Sequence, residues 1–453
     1  MKVFYIFAAL LLSGSLMAGD LNRVKPHPSL TPKEVVQIVM NALRNNDYPN
    51  KNNGVVTTFN FASPANKKNT GPLTRFNSMI RGQTYGPMIN HKGATFEKYK
   101  VVKNQFSDLP DWNSKNILPS LKSFEQSCRI VKNKEAMDSA KLSNFNVKIE
   151  SYKNFCKLLP DIKNSDDLKI LIENNFYPVY LRDDNTLFTG YIEIEIKGRI
   201  TPSIHEAPNA VPIFMKPPNI ISVNLGKFGN EYRDKKILGM IRDNDFVPVP
   251  SRKTIENENM FKEYILAYID DPALAYFLHI QGSGLITLPS GETMAVSYAG
   301  DNGKNYYSIG KKLIEDEIIK KENMSMQSIL AWMRDNEEAA YRMMQKNERF
   351  IFFKERNNLE PPNGSSGTIV TPMYSAAIDN RFIPYHLPLW VEVEDFYNDS
   401  TNKSLTNIFL AQDTGSAING ITRMDLFLGK GKEAEGIAGK LSSRGKIWLF
   451  IPK

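Results

Sequence analysis

The feature that most constrains the fold is a change in hydrophobic pattern near Leu187. Between residues 112 and 174, apolar side chains recur at helical spacing, which predicts two or three helices. From residue 191 to residue 196, apolar and polar side chains alternate, which is typical of a strand with one buried face. We therefore predict a chain that is mainly β from Leu187 onward and has helices before it.

Short apolar runs divided by Pro, Gly, Asn and Asp continue toward the C-terminus, and we predict that they are strands. Beyond residue 349 these runs lie at 350–353, 389–393, 408–411 and 446–451. A closed barrel suits such short strands, because closure leaves no edge unpaired. Residues 308–320 and 326–345 return to helical spacing, and Ser325 is the expected cap of the second helix.

Residues 1–18 have the layout of a secretory signal: Lys2, an apolar run at 3–12, and small residues up to Ala18. We expect removal after Ala18 and an exported, periplasmic protein, with the outer membrane or the cell wall as places of association. A retained anchor is the alternative, but the run is short for a membrane span. No cysteine follows Ala18 where a lipoprotein would carry one.

Cys128 and Cys156 are the only cysteines of the sequence, and in an oxidising compartment such a pair predicts a disulfide. The five histidines share no ligand-like spacing, so a zinc site is not expected, and we predict no metal and no cofactor. The net charge of +8 is compatible with an anionic envelope polymer as partner, but it is also common on solvated surfaces. Residues 19–104 are polar, with one helix expected near 31–45.

Three aspartates of the last quarter, Asp379, Asp413 and Asp425, each lie beside apolar strand residues. Burial raises the pKa of a carboxyl group and keeps it protonated near neutral pH, as a general acid requires. The alternative is that one or more of them cap turns or accept backbone amides.

The tetrapeptide Asp413-Thr414-Gly415-Ser416 matches the active-site motif of aspartic proteases. Those enzymes need two carboxylates that share a proton, supplied by two motifs or by a dimer. This sequence has one copy, preceded by Gln412 where an apolar residue is usual. A protease is therefore not the favoured interpretation.

Five segments stand in an order that is typical of one enzyme family: LFTGY (187–191), FLHIQGSG (277–284), SYAGDNG (297–303), AQDTG (411–415) and RMDLF (423–427). Through them the chain resembles the membrane-bound lytic murein transglycosylase A family, which has a C-terminal three-aspartate domain. A weaker similarity, which includes both cysteines, reaches back to Trp112. Ile192, His279 and Asp301 depart from the family pattern, at positions that concern groove contacts rather than the acid.

This resemblance implies a double-psi β-barrel built from residues 105–190 and 349–453. A second β-barrel-like domain, residues 191–348, would be inserted between them, and the glycan groove would lie between the two domains. The implied partners are peptidoglycan glycan strands, with other cell-wall enzymes as further candidates and no nucleic acid. We expect a monomer.

The resemblance also implies a reaction, the cleavage of the β-1,4 bond between N-acetylmuramic acid and N-acetylglucosamine. The muramic acid's own 6-hydroxyl would close onto the anomeric carbon and leave a 1,6-anhydro end. Carried over by motif, Asp425 is the single acid/base. Asp413 and Asp379 would be its neighbours, which stabilise its loop and contribute to the local electric field. One carboxylate suffices because no water has to be activated.

Candidate groove contacts are side chains with hydroxyl, amide or aromatic groups, which are the groups that bind sugars: Thr189, Tyr191, Gln281, Ser283, Tyr298 and Asn302. The alternative for them is turn structure, most clearly at 281–284, where the glycines alone could explain the motif. Two further functions stay open. One is a glycan-binding barrel without catalysis, and the other is a hydrolase in which Asp413 or Asp379 acts with Asp425.

Overall fold

The computed structural model describes most of the chain beyond residue 99 and parts of the chain before it. The described residues are 26–27, 30, 32–44, 46–47, 51–63, 67–68, 70–81, 89, 100–134, 149–183, 185–229, 232, 235–258, 260–397 and 403–453. The expected signal segment 1–18 lies outside them. The chain divides into two units, Met1–Lys98 and Tyr99–Lys453.

The helices of the N-terminal unit whose bounds the structure describes are α1 (Pro32–Arg44), α2 (Asn53–Phe61) and α3 (Leu73–Ile80). The first lies where a helix was expected. The other two are 9 and 8 residues long, too short for periodicity alone to distinguish them from strands or loops. Leu43 of α1, Val55 of α2 and Phe76 of α3 form a common core.

The second unit contains eighteen strands among its described residues. They are β1 (Lys100–Lys103), β2 (Phe176–Arg182), β3 (Leu187–Tyr191), β4 (Ile194–Arg199), β5 (Val211–Phe214), β6 (Ile220–Asn224), β7 (Lys236–Arg242), β8 (Asp245–Val247), β9 (Ile265–Ile269), β10 (Ser283–Thr287), β11 (Thr293–Asp301), β12 (Ile351–Arg356), β13 (Ser375–Ile378), β14 (Pro388–Val393), β15 (Leu405–Asp413), β16 (Arg423–Phe427), β17 (Ser442–Ser443) and β18 (Gly445–Pro452).

Nine α-helices accompany these strands in the described part of the unit. They are α4 (Leu121–Val131), α5 (Ile149–Leu158), α6 (Ser165–Asn175), α7 (Arg252–Asn257), α8 (Pro272–Gln281), α9 (Ile309–Glu315), α10 (Met326–Asp335), α11 (Glu337–Lys346) and α12 (Lys432–Ala438). Short 3-10 helices occur at Phe106–Asp108, Leu118–Ser120, Leu159–Asp161, Leu225–Lys227, Lys262–Tyr264 and Lys321–Asn323.

The larger sheet has nine strands in the order β1-β2-β18-β14-β15-β13-β16-β3-β17. It combines strands from before and after the middle of the chain, so the domain is assembled from two distant segments. Seven consecutive residues of β15, Thr406 to Gln412, are buried, as are the last six of β18. Helices α4, α5 and α6 contribute to the same core. The finer prediction of a double-psi barrel stays a prediction.

Helices α4 and α5 are joined by a disulfide between Cys128 and Cys156, both buried in this core. The bridge closes a loop of 28 residues, so the unfolded chain has fewer conformations available.

Replacing both cysteines by alanine is expected to lower the free energy of unfolding by about 3 kcal/mol. Denaturant unfolding of the variant measures the loss. Reduction of the parent protein under the same conditions is the control, because it breaks the bridge without leaving cavities. An unchanged midpoint in reductant would contradict a stabilising role for the bridge.

The second sheet has six strands in the order β12-β11-β10-β4-β9-β5, and a three-stranded sheet, β6-β7-β8, accompanies it. The chain leaves the nine-stranded sheet after β3 and returns to it at β13. An ion pair between the buried side chains of Glu193 and Arg356 joins the two crossings. The pair thus holds the two connections between the domains together.

Helix α8 positions residues 279–283, which include part of the segment at 281–284 that is expected to contact the glycan. The Asp271 carboxylate accepts hydrogen bonds from the amides of Ala273 and Leu274 at 2.8 and 3.2 Å, and Pro272 occupies the first turn. The helix ends at Gly282, whose φ of +78° is left-handed and costs glycine little. The chain then turns directly into β10.

Three segments differ from their predicted secondary structure. The alternation at 191–196 is two strands in different sheets, because Glu193 lies at the crossing and its amide donates to the carbonyl of Gly429. The run at 350–353, assigned to the C-terminal segment, falls largely in β12, which pairs with β11 of the inserted sheet. The helix expected at 326–345 is divided at Asn336, whose φ of −137° is not helical.

The prediction that Ser325 caps α10 is confirmed, because its hydroxyl accepts from the amide of Ser328 at 3.0 Å. Within the described residues, none of the helices combines the length and the apolar character needed to cross a membrane.

Candidate active site

A groove of about 720 Å³ lies between the nine-stranded and the six-stranded sheets. This volume falls within the usual range of ligand pockets. One wall comes from β15, β16 and the loop after Asp413, and the other from residues 279–283 and strands β11 and β12. Asp425 and Asp413 both line it.

Asp425 lies at the centre of β16 and is half-buried. Its strand runs between β3, where Thr189 is the parallel partner, and β13, where Ala377 is the antiparallel partner. The Thr189 hydroxyl donates to Asp425 Oδ1 at 2.5 Å. None of the residues that the structure describes donates to Oδ2, so this oxygen is available to a ligand.

Burial raises the pKa of Asp425, and the negative charge of Asp413 adds to the rise. The charge of Arg423 and the hydrogen bond from Thr189 act in the opposite direction but do not cancel it. A carboxyl group with a raised pKa keeps its proton to higher pH, which is the property of a general acid.

Arg423 fixes the direction of the hydrogen bond to Asp425. Its Nη2 donates to the Thr189 hydroxyl oxygen at 2.8 Å. A guanidinium has no acceptor, so Thr189 must accept from Arg423 and point its single proton at Asp425 Oδ1. The proton of the neutral Asp425 carboxyl then resides on Oδ2.

Asp413, at the end of β15, has both oxygens occupied. Its Oδ1 accepts from the amide and hydroxyl of Ser365, both at 2.9 Å, and from the amide of Thr414 at 2.8 Å. Its Oδ2 accepts from the Tyr191 hydroxyl at 3.0 Å. Burial raises the pKa of Asp413, although these hydrogen bonds lower it in part. The residue connects the loop at Ser365 and the end of β3 to the end of β15, and it contributes charge near Asp425.

Asp379 is buried and lies outside the groove lining. Arg381 donates to both of its oxygens, with Nε at 2.8 Å and Nη2 at 2.5 Å, and the Gly420 amide donates at 2.8 Å. Burial alone would raise the pKa of Asp379, but these hydrogen bonds outweigh it, and the net pKa is lowered. Asp379 therefore stabilises the loop that ends before β16 and does not lie at the reacting centre.

Four of the six expected sugar contacts line the groove: Tyr191, Gln281, Ser283 and Tyr298. Tyr298 is 48% exposed and donates to Asp301 at 2.6 Å. The Gln281 side-chain oxygen accepts from the amide of Ile192 at 3.1 Å, so this side chain also ties α8 to the crossing between the domains.

The other two lie elsewhere. Thr189 lies behind Asp425 as its hydrogen-bond donor and is not among the lining residues. Asn302 is 2% exposed, and its amide donates to the carbonyls of Pro250 and Glu348, both at 2.8 Å. Its oxygen accepts from the Phe350 amide at 2.9 Å. Because backbone groups use both ends of its amide, Asn302 is a structural residue and not a sugar contact.

Several groove residues were not among the expected contacts, and the polar ones of the inserted domain are Tyr306, Ser297, Asn347, Arg349, Lys354 and His279. Burial raises the pKa of Tyr306, a hydrogen bond with Ser308 lowers it in part, and the charge of Asp425 raises it further, so the hydroxyl stays protonated. Tyr306 and Tyr307 are adjacent, and nothing local in the sequence indicates which of them lines the groove.

His279 lines the groove and is nearly buried. Its Nδ1 accepts from the Ile351 amide at 3.1 Å, which leaves the proton on Nε2. Burial lowers its pKa well below the usual value, with a further contribution from Arg252. At this departure from the family pattern the groove therefore contains a neutral imidazole.

Comparison with known proteins gives consistent matches. The MltA specific insert domain matches residues 187–354, and the 3D domain matches residues 374–451. Membrane-bound lytic murein transglycosylase A of Escherichia coli (strain K12) is 32% identical over 270 residues, which cover 59% of this chain and 66% of that protein, just under two thirds.

Two solved structures extend the likeness. The monoclinic crystal structure of MltA from Neisseria gonorrhoeae is 30% identical, with a TM-score of 0.63 over 80% of this chain and 95% of that one. The crystal structure of E. coli MltA with bound chitohexaose is 25% identical, with a TM-score of 0.56 over 80% of this chain and 96% of that one.

Proposed function

Because this chain belongs to the membrane-bound lytic murein transglycosylase A family, we propose that it cleaves peptidoglycan glycan strands between N-acetylmuramic acid and N-acetylglucosamine and leaves 1,6-anhydro-muramic acid ends. One observation carries the mechanism. Of the three aspartates, only Asp425 both lines the groove and keeps an oxygen without a donor from the described residues. The oligosaccharide bound by the E. coli relative supports a glycan as the ligand.

The reaction needs only this carboxyl group. Neutral Asp425 donates its Oδ2 proton to the glycosidic oxygen as the bond to the anomeric carbon of muramic acid breaks. The 6-hydroxyl of the same sugar bonds to that carbon, and the Asp425 carboxylate takes the hydroxyl proton. The acid is regenerated and no water is consumed. A nucleophile within the substrate supplies proximity that is otherwise obtained by positioning a second reactant.

A two-carboxylate hydrolase is the alternative, with Asp413 as the nucleophile or the base. The four hydrogen bonds to Asp413 argue against this role, because a carboxylate must release its donors before it can attack or accept a proton. Asp379 is bound by Arg381 and is further excluded by its position outside the groove lining.

The names of the membrane-bound relatives support the cell envelope as the location of this protein. We propose the periplasm as its compartment, since the glycan strands lie there and the signal segment predicts export. Other cell-wall enzymes remain proposed partners.

Mass spectrometry of the products released from purified sacculi tests the function. Anhydro-muropeptides are expected. Reducing muropeptides, heavier by one water, would indicate the hydrolase, and sacculi that bind the protein but release nothing would indicate a binding module.

Thr189→Val is expected to move the pH profile of the reaction. Activity should fall as pH rises through the pKa of Asp425, because the acid loses its proton. The Thr189 hydrogen bond lowers that pKa, so its removal should raise the pKa and shift the alkaline limb to higher pH, with about a tenfold lower maximal rate. Thr186→Val, in the preceding turn, is the control. A lower rate with an unmoved alkaline limb would contradict the role of Thr189.

A further inference from the structure

The net charge of the protein is confined to its N-terminal unit. Residues 1–98 contain twelve Lys and Arg but four Asp and Glu, whereas residues 99–453 contain 45 of each. The groove-bearing unit is therefore neutral overall. The whole excess of +8, or +7 once Lys2 leaves with the expected signal segment, lies in the part that both family matches leave out.

Four basic side chains among the described residues of this unit are presented to solvent. Arg44 at the end of α1, Lys51 before α2, Lys68 before α3 and Arg75 within α3 are all exposed. They are distributed over the helices and their connections. Such a distribution suits a polymer with repeated negative charges better than a small anion, because many weak contacts combine.

Many apolar side chains of the unit are buried in its own core. Leu43, Val55, Phe76 and Ile80 are each at most 5% exposed and pack on one another. A helix that binds a membrane surface needs an unpartnered apolar face to bury among the lipids. Among the described residues of this unit, the exposed large hydrophobic side chains are Val36 of α1 and Met79 of α3, at 43% and 41% exposed. They lie on two different helices, which favours a hydrated polyanion over a bilayer.

We propose that the N-terminal unit is an accessory electrostatic module that holds the enzyme on carboxylate-bearing peptidoglycan, separately from the catalytic groove. The proposal rests on the proposed function, because the peptide stems and lactyl groups of the substrate polymer supply the carboxylates. A neutral catalytic unit gains no such retention by itself. Retention on an insoluble polymer raises the local concentration of enzyme without a change in the chemistry at Asp425.

The test compares two full-length variants that each lose four positive charges, in an Asp425→Asn background that spares the polymer. The first carries Arg44→Gln, Lys51→Gln, Lys68→Gln and Arg75→Gln. The matched control carries Lys132→Gln, Lys157→Gln, Lys163→Gln and Lys320→Gln, which are exposed residues of the second unit. Circular dichroism checks that both remain folded. Co-sedimentation with purified sacculi is measured at low and at physiological salt.

The N-terminal variant is expected to bind sacculi about tenfold more weakly at low salt, and the control like the parent. The difference should shrink at physiological salt, where the Debye length is about 8 Å. Equal loss in both variants, or no loss in either, would overturn the proposal. The same variants are also co-sedimented with phosphatidylglycerol vesicles. If the N-terminal variant binds these vesicles more weakly but binds sacculi like the parent, the proposal is overturned in favour of a membrane partner.

A second readout separates this proposal from the proposed function. With Asp425 restored, the N-terminal variant should release anhydro ends from short soluble glycan strands at the parental rate and from sacculi more slowly. If the parent makes no anhydro ends, the proposed function fails, while charge-dependent binding to sacculi can still be observed. If anhydro ends form but sacculus digestion is unaffected by the four substitutions, only the accessory module is overturned.

Discussion

Asp425→Asn is expected to lower the rate of glycan cleavage by about a hundred- to ten-thousandfold, the usual contribution of a general acid/base. The amide has nearly the same shape as the carboxyl group and can still accept from Thr189 at Oδ1. It cannot donate a proton to the leaving oxygen and return it. Because the raised pKa of Asp425 comes mainly from its burial, no exposed carboxyl group can replace it in this position.

Release of soluble products from sacculi measures this loss, and calorimetric titration with a chito-oligosaccharide measures whether the groove still binds. Binding is expected to stay within about threefold of the parent, since a single neutral substitution leaves the groove walls intact. Asp161→Asn, at an exposed position at the end of a 3-10 helix, is the matched control and should keep full activity. Turnover of the Asp425 variant within about tenfold of the parent would show that another group is the acid.

The second large effect is on the chemistry of the product. If the substrate's own hydroxyl closes the ring, digestion in water enriched with heavy oxygen should leave the new muramic acid ends unlabelled. The ends should also resist borohydride, because a 1,6-anhydro sugar has no free reducing carbon. The reason lies in the site: Asp413 has four donors on its two oxygens, so no second carboxylate of the groove is free to activate water.

A conventional glycosidase treated in the same way is the positive control, and its ends should carry one heavy oxygen each. Incorporation of the label by this protein would mean that solvent attacks the anomeric carbon. That result would support a two-carboxylate mechanism, with Asp413 released from Ser365 and Tyr191 during the reaction.

The sequence by itself determined those features of the fold and the site that depend on residues close together in the chain. The change from helical to strand-like spacing and the cap at Ser325 are local patterns, and the structure contains both, although the first strand after the helices begins at Phe176 and not at Leu187. The family resemblance singled out Asp425 because its motif, RMDLF, is continuous in the chain. The crossing at Glu193 was missed for the same reason, since an alternating pattern reports burial but not which sheet a strand joins.

Only the tertiary structure decided how the three aspartates and the groove residues divide their roles. Thr189 donates to Asp425 across 236 positions of sequence, through a strand register that periodicity does not encode. Asp379 and Asn302 have side chains suited to a site, but their polar atoms are used by Arg381, Gly420 and backbone carbonyls. Residue type states what a side chain can bind. Which partner it has depends on long-range packing, because a buried polar group takes whichever donors and acceptors the fold brings within reach.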